Sequence, residues 1–198
     1  MGRPRNYDEH HARMGAMRAF WRSGYEGTSI VDLEAATGVG RRQLYNEHGD
    51  KRGLFLRAMA DFESATADLL LKDLEAPDAG LREVLDALPL LIRSGLRTNT
   101  LGCLLCNTAC ESIGVTDDEV RNRILTFWHR MDVAYASALR NAVAAGDIRM
   151  TARRIERVAR RFRAAHVAIC LMRRAGEPEP VLIDVAREAA EAVRDREG

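Results

Sequence analysis

The sequence predicts an all-α fold, and three observations carry that prediction. Apolar residues recur at spacings of three and four along nearly all of the 198 residues, clear period-two runs of Val, Ile and Thr are missing, and each break between periodic segments carries Gly, Pro, Asn or Asp. A chain of this length buries roughly 70% of the surface its unfolded form exposes, so its core needs no covalent staples.

A first helix is expected over residues 8–23, with Ala12, Met14, Gly15, Ala16, Ala19 and Phe20 to one side and Gly24 ending it in the left-handed conformation. Gly24 to Gly27 then turns the chain. Ser29 caps a second helix with Asp32 as its capping-box partner; Ile30, Leu33 and Ala36 form its buried stripe, and Gly38-Val39-Gly40 breaks it. A short third helix covers residues 41–46, and His48-Gly49-Asp50 separates it from a long fourth helix running from Lys51 through Leu54, Phe55, Met59, Phe62 and Leu69 to about Leu74. Ala76-Pro77-Asp78-Ala79-Gly80 is the clearest loop. Helices are then expected over 81–94, 102–113, 117–145, 151–175 and 180–196, about nine in all.

Charge and cysteine usage narrow the classes. The 30 basic residues against 29 acidic ones leave a formal charge of +1, so no global positive field marks the chain as a binder of nucleic acid or membrane. Cys103, Cys106, Cys110 and Cys170 do not make a secreted disulfide pattern, since three of them fall in one apolar segment; a reducing, cytoplasmic setting is expected. Residues 1–13 lack the apolar run of a leader, and no stretch approaches the ~20 apolar residues of a membrane span, so no membrane partner is expected. Neither a His-Glu-x-x-His pattern nor a Gly-rich phosphate loop occurs, and no cofactor is expected.

The stretch from Tyr25 to Lys51 carries the chemistry. Two short helices joined by a Gly-containing turn, the second presenting Arg41, Arg42, Gln43, Tyr45 and Asn46, have the layout of a helix-turn-helix over about residues 29–48. Arg forks to guanine O6 and N7, Gln and Asn pair with the N6 and N7 edge of adenine, and Tyr donates to a phosphate oxygen. Lys51, opening the fourth helix, meets a phosphate where the helix dipole also favours an anion. Val39 and Leu44 lock the third helix onto the second. The same spacing also fits a plain helical hairpin with a solvated basic face.

Phe20, Gly24-Tyr25, Thr28-Ser29-Ile30, Asp32-Leu33, Ala36, Thr37-Gly38-Val39, Leu44-Tyr45, Asp50-Lys51 and Leu54-Phe55 stand at the spacing found in the DNA-binding domain of TetR/AcrR-type regulators. About the first quarter of the chain resembles that domain. The resemblance implies a homodimeric regulator of transcription on an operator of double-stranded DNA, palindromic in form. Residues 1–52 would be its reader and 53–198 its effector-binding and dimerisation domain, paired through the last two helices. It implies base-reading roles for Arg41, Arg42 and Gln43, phosphate contacts from Ser29 and Tyr45, and a phosphate anchor at Lys51. Two positions depart from the pattern. Gly40 stands where a Ser often caps the third helix, which predicts fraying until DNA orders it; His48 stands where a Phe usually packs, and reads as a buried neutral imidazole or as a source of pH sensitivity. Arg3 and Arg5 lie on a Pro-stiffened arm that suits an adjacent minor groove, and equally fit a tail with incidental charge.

The second unusual feature is Gly102-Cys103-Leu104-Leu105-Cys106-Asn107-Thr108-Ala109-Cys110-Glu111. On a continuous helix Cys103, Cys106 and Cys110 share one face. Three readings stay open: small apolar core residues, a redox or electrophile switch at Cys103, and zinc held by Cys103 and Cys106 with further ligands from Cys110, Cys170, His129 or His166. No metal is assigned. The string also resembles the start of the sixth helix in a subgroup of TetR/AcrR regulators, some of which use the Cys of the Gly-Cys-Leu element as a sensor.

A small-molecule effector would lie among Leu88, Leu91, Ile92, Phe127, Trp128, Met131, Tyr135, Phe162 and His166, which supply an apolar lining with a few polar tips. The Arg-rich run from Thr151 to Arg163 reads as a solvated stripe, with Ile155, Val158, Ala159 and Phe162 as its apolar face. Ala165, Ile169, Leu182, Val185, Ala186 and Ala189 are expected to extend that face into the subunit interface. The reading is therefore a repressor released by a small molecule or by thiol modification, not an enzyme. Its rival is a helical thiol- or metal-dependent catalyst built on Cys103 and Cys106.

Overall fold

The computed structural model describes residues 8–98 and 101–194, and among these it contains ten α-helices and no strand. Helix α1 spans Glu9–Gly27, α2 Ile30–Thr37, α3 Arg41–His48 and α4 Lys51–Thr66, which continues into a wider π-helical turn at Ala67–Leu71. Helix α5 spans Leu81–Thr98, α6 Leu104–Ala109, α7 Ser112–Thr116, α8 Asp118–Ala145, α9 Ala152–Ala175 and α10 Glu179–Arg194. The count exceeds the expected nine because the apolar segment after Gly102 does not form one helix. It breaks at Cys110 and Glu111, where Glu111 takes an extended conformation (φ −95°, ψ 159°) and opens α7.

Local chemistry sets most boundaries. The Ser29 hydroxyl accepts from the Asp32 amide at 3.1 Å while the Asp32 carboxylate accepts the Ser29 amide at 2.8 Å, a complete capping box. Gly38, Gly146 and Gly176 close α2, α8 and α9 in the left-handed conformation. Gly24 behaves otherwise than expected. Its φ is positive at 76°, but its ψ of 175° is extended, and helical turning resumes through Gly27. Thr28, buried, donates its hydroxyl hydrogen to the Gly24 carbonyl at 2.6 Å and fixes this corner.

Phe20, Leu33, Val39, Leu44, Leu54, Phe55 and Met59 form the core under the helix-turn-helix, and it runs without interruption into that of α5–α10. The Arg-rich run of α9 is solvated at Arg153, Arg157, Arg160 and Arg161, but Arg154 is buried and donates to the Ala192 carbonyl of α10 at 3.1 Å. The positions expected to face a partner subunit, among them Ala165, Ile169, Leu182, Ala186 and Ala189, are filled within one chain. Helix α9 packs against both α8 and α10, so its apolar stripe is used internally.

Helices α1 and α2 approach closely at Gly15, where a side chain would run into the Ala36 carbonyl oxygen. Gly15→Ala is therefore expected to destabilise the fold by about 1–3 kcal/mol, the cost of overpacking. Thermal unfolding checks this, and an unchanged midpoint would contradict the close approach.

Candidate nucleic-acid interface and the thiols behind it

Helix α3 is anchored by Leu44, 3% exposed, and by Val39 in the turn before it, which leaves Arg41, Arg42, Gln43 and Asn46 exposed and Tyr45 half-buried. The Arg41 guanidinium stands 5.3 Å from the centre of the Tyr45 ring. Gly40 supplies no side-chain cap, yet α3 is not left open: the Glu34 carboxylate of α2 accepts the Arg41 amide at 2.6 Å. That bond removes the reason for fraying. Ser29 is exposed, but its hydroxyl hydrogen already goes to Asp32 Oδ2 at 2.6 Å. His48 is half-buried, and desolvation lowers its pKa, so its ring is held neutral over a wider range. Arg3 and Arg5 lie outside the described residues.

Lys51 is positioned by a feature that sequence reasoning missed. Its ammonium lies 4.5 Å from the centre of the Tyr25 ring, which is itself held against Phe55 at 5.0 Å and Phe20 at 6.3 Å. The Gly-Tyr pair before the reader and the Lys after it were the available signals. Asp50 caps α4 by accepting from the Gly53 amide at 2.7 Å, which places Lys51 at the first turn of that helix.

Three contacts tie this unit to the helices that follow. Glu111 accepts the Tyr25 amide at 2.7 Å, and a side chain at Gly24 would collide with the Glu111 carboxylate. Arg52 makes a two-pronged contact with Asp117, at 2.5 and 3.0 Å, and reaches Glu119 at 2.7 Å. Arg174 of α9 donates to the Trp21 carbonyl at 3.4 Å and to Leu101 at 3.1 Å. Partners so distant in sequence have no local signature.

The sequence placed three sulfurs on one helical face, and the structure corrects this. Cys103 precedes α6 in an extended conformation, Cys106 lies within α6, and Cys110, past its last turn, is exposed. The third buried thiol is Cys170 of α9, and the sulfurs of Cys103, Cys106 and Cys170 all lie within 4.8 Å of one another. Hydrogen bonding from Cys106, then from Cys170, holds the Cys103 thiol well below the usual range; both donors are pushed up by the same contacts. Buried His166, one turn before Cys170, is driven toward its neutral form by desolvation. His129 is exposed.

Of the expected effector lining, Leu88, Leu91, Ile92, Phe127, Met131, Tyr135, Phe162 and His166 are buried, while Trp128 is half-buried beneath the Arg163 guanidinium at 5.9 Å. The Tyr135 and Phe162 rings pack 5.1 Å apart. A cleft of about 1030 Å³ opens elsewhere, lined by Leu81, Leu85, the α8–α9 turn and Val193.

These features define a class: an all-helical protein with an N-terminal helix-turn-helix that presents Arg, Gln and Asn from its second helix, braced by a helical body. Residues 14–58 match the family of bacterial regulatory proteins known as the tetR family. The uncharacterized HTH-type transcriptional regulator YezE of Bacillus subtilis (strain 168) is 32% identical over 116 residues, covering 57% of this chain and 59% of that protein. The HTH-type transcriptional repressor ComR of Escherichia coli (strain K12) is 30% identical over 128 residues, covering 62% of this chain and 59% of its own. The match thus spans about three-fifths of the length of either relative. Among solved structures, a cysteine mutant of the TetR family transcriptional regulator CifR, complexed with 26-base-pair operator DNA, superposes with a TM-score of 0.81 at 25% identity, covering 97% of this chain and 100% of that one. A TetR regulator from Chloroflexus aurantiacus shares the fold, with a TM-score of 0.79 at 22% identity over 94% of each chain. Residues 14–58 thus carry the DNA-binding domain of the tetR family, and the described chain shares the fold of a TetR family regulator along its length. Its relatives are regulators, which sets the enzyme reading aside. No helix among the described residues is long and apolar enough to cross a membrane.

The Arg52 contact yields a pH prediction. Hydrogen bonds from Arg52, with help from the Val120 and Glu119 amides, lower the Asp117 carboxyl to about 2. A carboxyl depressed in the folded state stabilises it fully above the unfolded value near 4, and this contribution fades as pH falls toward 2. Asp117→Asn is expected to remove that part of the acid dependence while leaving stability flat around neutrality relative to its own baseline. Acid titration followed by circular dichroism checks it, and an unchanged acid limb would refute the assignment.

Proposed function

We propose that the protein is a sequence-specific DNA-binding repressor, homodimeric through its last two helices, whose release is triggered by chemistry at the α6 thiols. The observation that carries the DNA reading is the row of exposed Arg41, Arg42, Gln43 and Asn46 on α3, flanked by Lys51 on its Tyr25 platform. Donors of this kind read base edges in a major groove, and Lys51 and Tyr45 take phosphates. A phosphate contact from Ser29 would exchange its bond to Asp32. Residues 1–52 serve as the reader and 53–198 as the regulatory and dimerising part, with the Arg3 and Arg5 arm reaching an adjacent minor groove. The surface that α9 and α10 leave for a second subunit includes Ala164, Ala168, Leu171 and Ile183. A two-fold dimer places its reader helices on half-sites ~34–36 Å apart.

The thiol trigger is favoured over a small molecule among Leu88, Phe127, Tyr135 and their neighbours because α6, which follows Cys103 and carries Cys106, packs directly against α1. Glu111, which follows α6, holds the Tyr25 amide. A shift of α6 therefore reaches the ring that positions Lys51, and the two reader helices change their spacing.

Selection of fragments from the DNA beside the gene is expected to enrich a palindrome. Arg42→Ala should cost about 1–3 kcal/mol and relax preference at one position per half-site, while Lys51→Ala weakens binding to all sequences alike and lowers the salt slope by about one per subunit. Failure to enrich any sequence would sink the DNA reading. Alkylation of a Cys110→Ala protein should release operator DNA and fail to do so when Cys103→Ser is added. Equal release in both would sink the thiol trigger.

A further inference from the structure

The thiol cluster has a chemistry of its own. Three soft sulfur donors from two separate elements, the start of α6 and the last two turns of α9, converge within 4.8 Å, all three buried. Core cysteines need no such convergence. His166 shares the neighbourhood: it lies on the same face of α9 one turn before Cys170 and is 5% exposed. Its ring nitrogens stand outside the three-sulfur set, so it can complete the set only by a side-chain rotation.

A second observation concerns Arg173, on α9 three residues past Cys170. Its guanidinium is buried and donates to the Leu91 and Ile92 carbonyls at 3.2 and 2.9 Å, and among the described residues no carboxylate pairs with it. A buried cation bonded only to neutral carbonyls lacks a counter-charge. Three thiolates around a divalent ion carry one net negative charge, which Arg173 balances. Hard ions are excluded by the donor set, since no carboxylate oxygen joins the three sulfurs. Zinc–sulfur bonds of about 2.3 Å in a tetrahedron need sulfurs about 3.8 Å apart, within the 4.8 Å that bounds the three sulfurs here.

We propose that Cys103, Cys106 and Cys170 form a three-thiolate site for a divalent thiophilic cation of the zinc class, with His166 as its neutral fourth ligand and Arg173 as its counter-charge. The proposal deepens the thiol-trigger reading by naming a ligand for those thiols, and it rests on that reading only for its consequence at the operator. The structure selects Cys170 from the ligands the sequence left open, and sets aside exposed Cys110 and His129.

The test uses the full chain, reduced and free of oxygen, titrated with Co(II) and then with Zn(II). The expected result is one ion per chain, tetrahedral cobalt bands, and a near-ultraviolet sulfur-to-cobalt band of three-thiolate intensity that Zn(II) bleaches. Cys106→Ala and Cys170→Ala should each cut the band by about a third and weaken Zn(II) binding by at least about tenfold; Cys110→Ala should change neither. His166→Ala should keep the sulfur band while weakening binding, and unchanged binding would remove the imidazole from the ligand set. A six-coordinate cobalt spectrum, no sulfur band in the wild-type chain, or undiminished binding in a Cys170→Ala chain of normal helicity would overturn the site. Operator binding is measured on the same samples. A chain that binds duplex but no metal refutes the site alone, and one that binds metal but no duplex refutes the regulator reading alone.

Discussion

The hydrogen bond from the Tyr25 amide to the Glu111 carboxylate is the contact on which the placement of the reading surface depends. Charge-assisted bonds of this kind are roughly twice as strong as neutral ones, and this one acts at a backbone position that only glycine adopts readily. Gly24, at φ 76°, turns the chain so that the next amide points at α7, and the absence of a side chain there lets the carboxylate approach. The Tyr25 ring is then fixed against Phe20 and Phe55, and Lys51 rests on it. One carboxylate thus sets a main-chain corner, an aromatic platform and a cation. Arg52 and Arg174 add further grip at the start of α4 and the end of α1.

The reading helices are ordered before any partner arrives. Helix α2 has a closed capping box and a left-handed glycine, and α3 borrows the Glu34 carboxylate where its own capping residue is glycine. Both carboxylates belong to α2, so the two helices are stabilised as one unit. Preorganisation matters energetically because any side chain or turn that must be ordered on binding subtracts from affinity. Within α2 and α3 the backbone is already set, which leaves side chains for binding to order.

Features governed by nearest neighbours were legible in the sequence. The Ser29–Asp32 box, the glycines closing α2, α8 and α9, and the apolar pair Val39 and Leu44 follow from rules that reach no more than four residues. The break between α6 and α7 was not legible, since apolar spacing continues across Cys110 while Glu111 is drawn out of helical geometry where its side chain meets α1. Cys170 as the partner of Cys103 was only one of several options, because the two meet through packing of α6 against α9. Arg154 read as solvated from the Arg-rich run around it, and Arg173 carried no reading at all. Both are buried by carbonyl acceptors on α10 and α5 that no window around α9 contains.

The near-zero charge of the chain is reconciled with the proposed DNA partner by how its arginines are used. Arg13 pairs with Asp61, Arg52 with Asp117 and Glu119, Arg123 with Glu63, Arg130 with Glu75, Arg140 with Glu156 and Arg163 with Asp132. Each pair neutralises itself, at the surface or partly buried, and projects little field. On α3 the pattern changes: among the described residues neither Arg41 nor Arg42 has a carboxylate partner, and Arg41 leans on the Tyr45 ring instead. A cation over an aromatic face keeps its charge and its donors, whereas one in a salt bridge must give up a partner before it can meet a phosphate or a base. Net charge therefore understates the positive charge that α3 presents. On the proposed reading, the few unpaired cations also limit the number of counterions that binding would release, so discrimination would come from base edges and from the spacing of two copies rather than from bulk attraction.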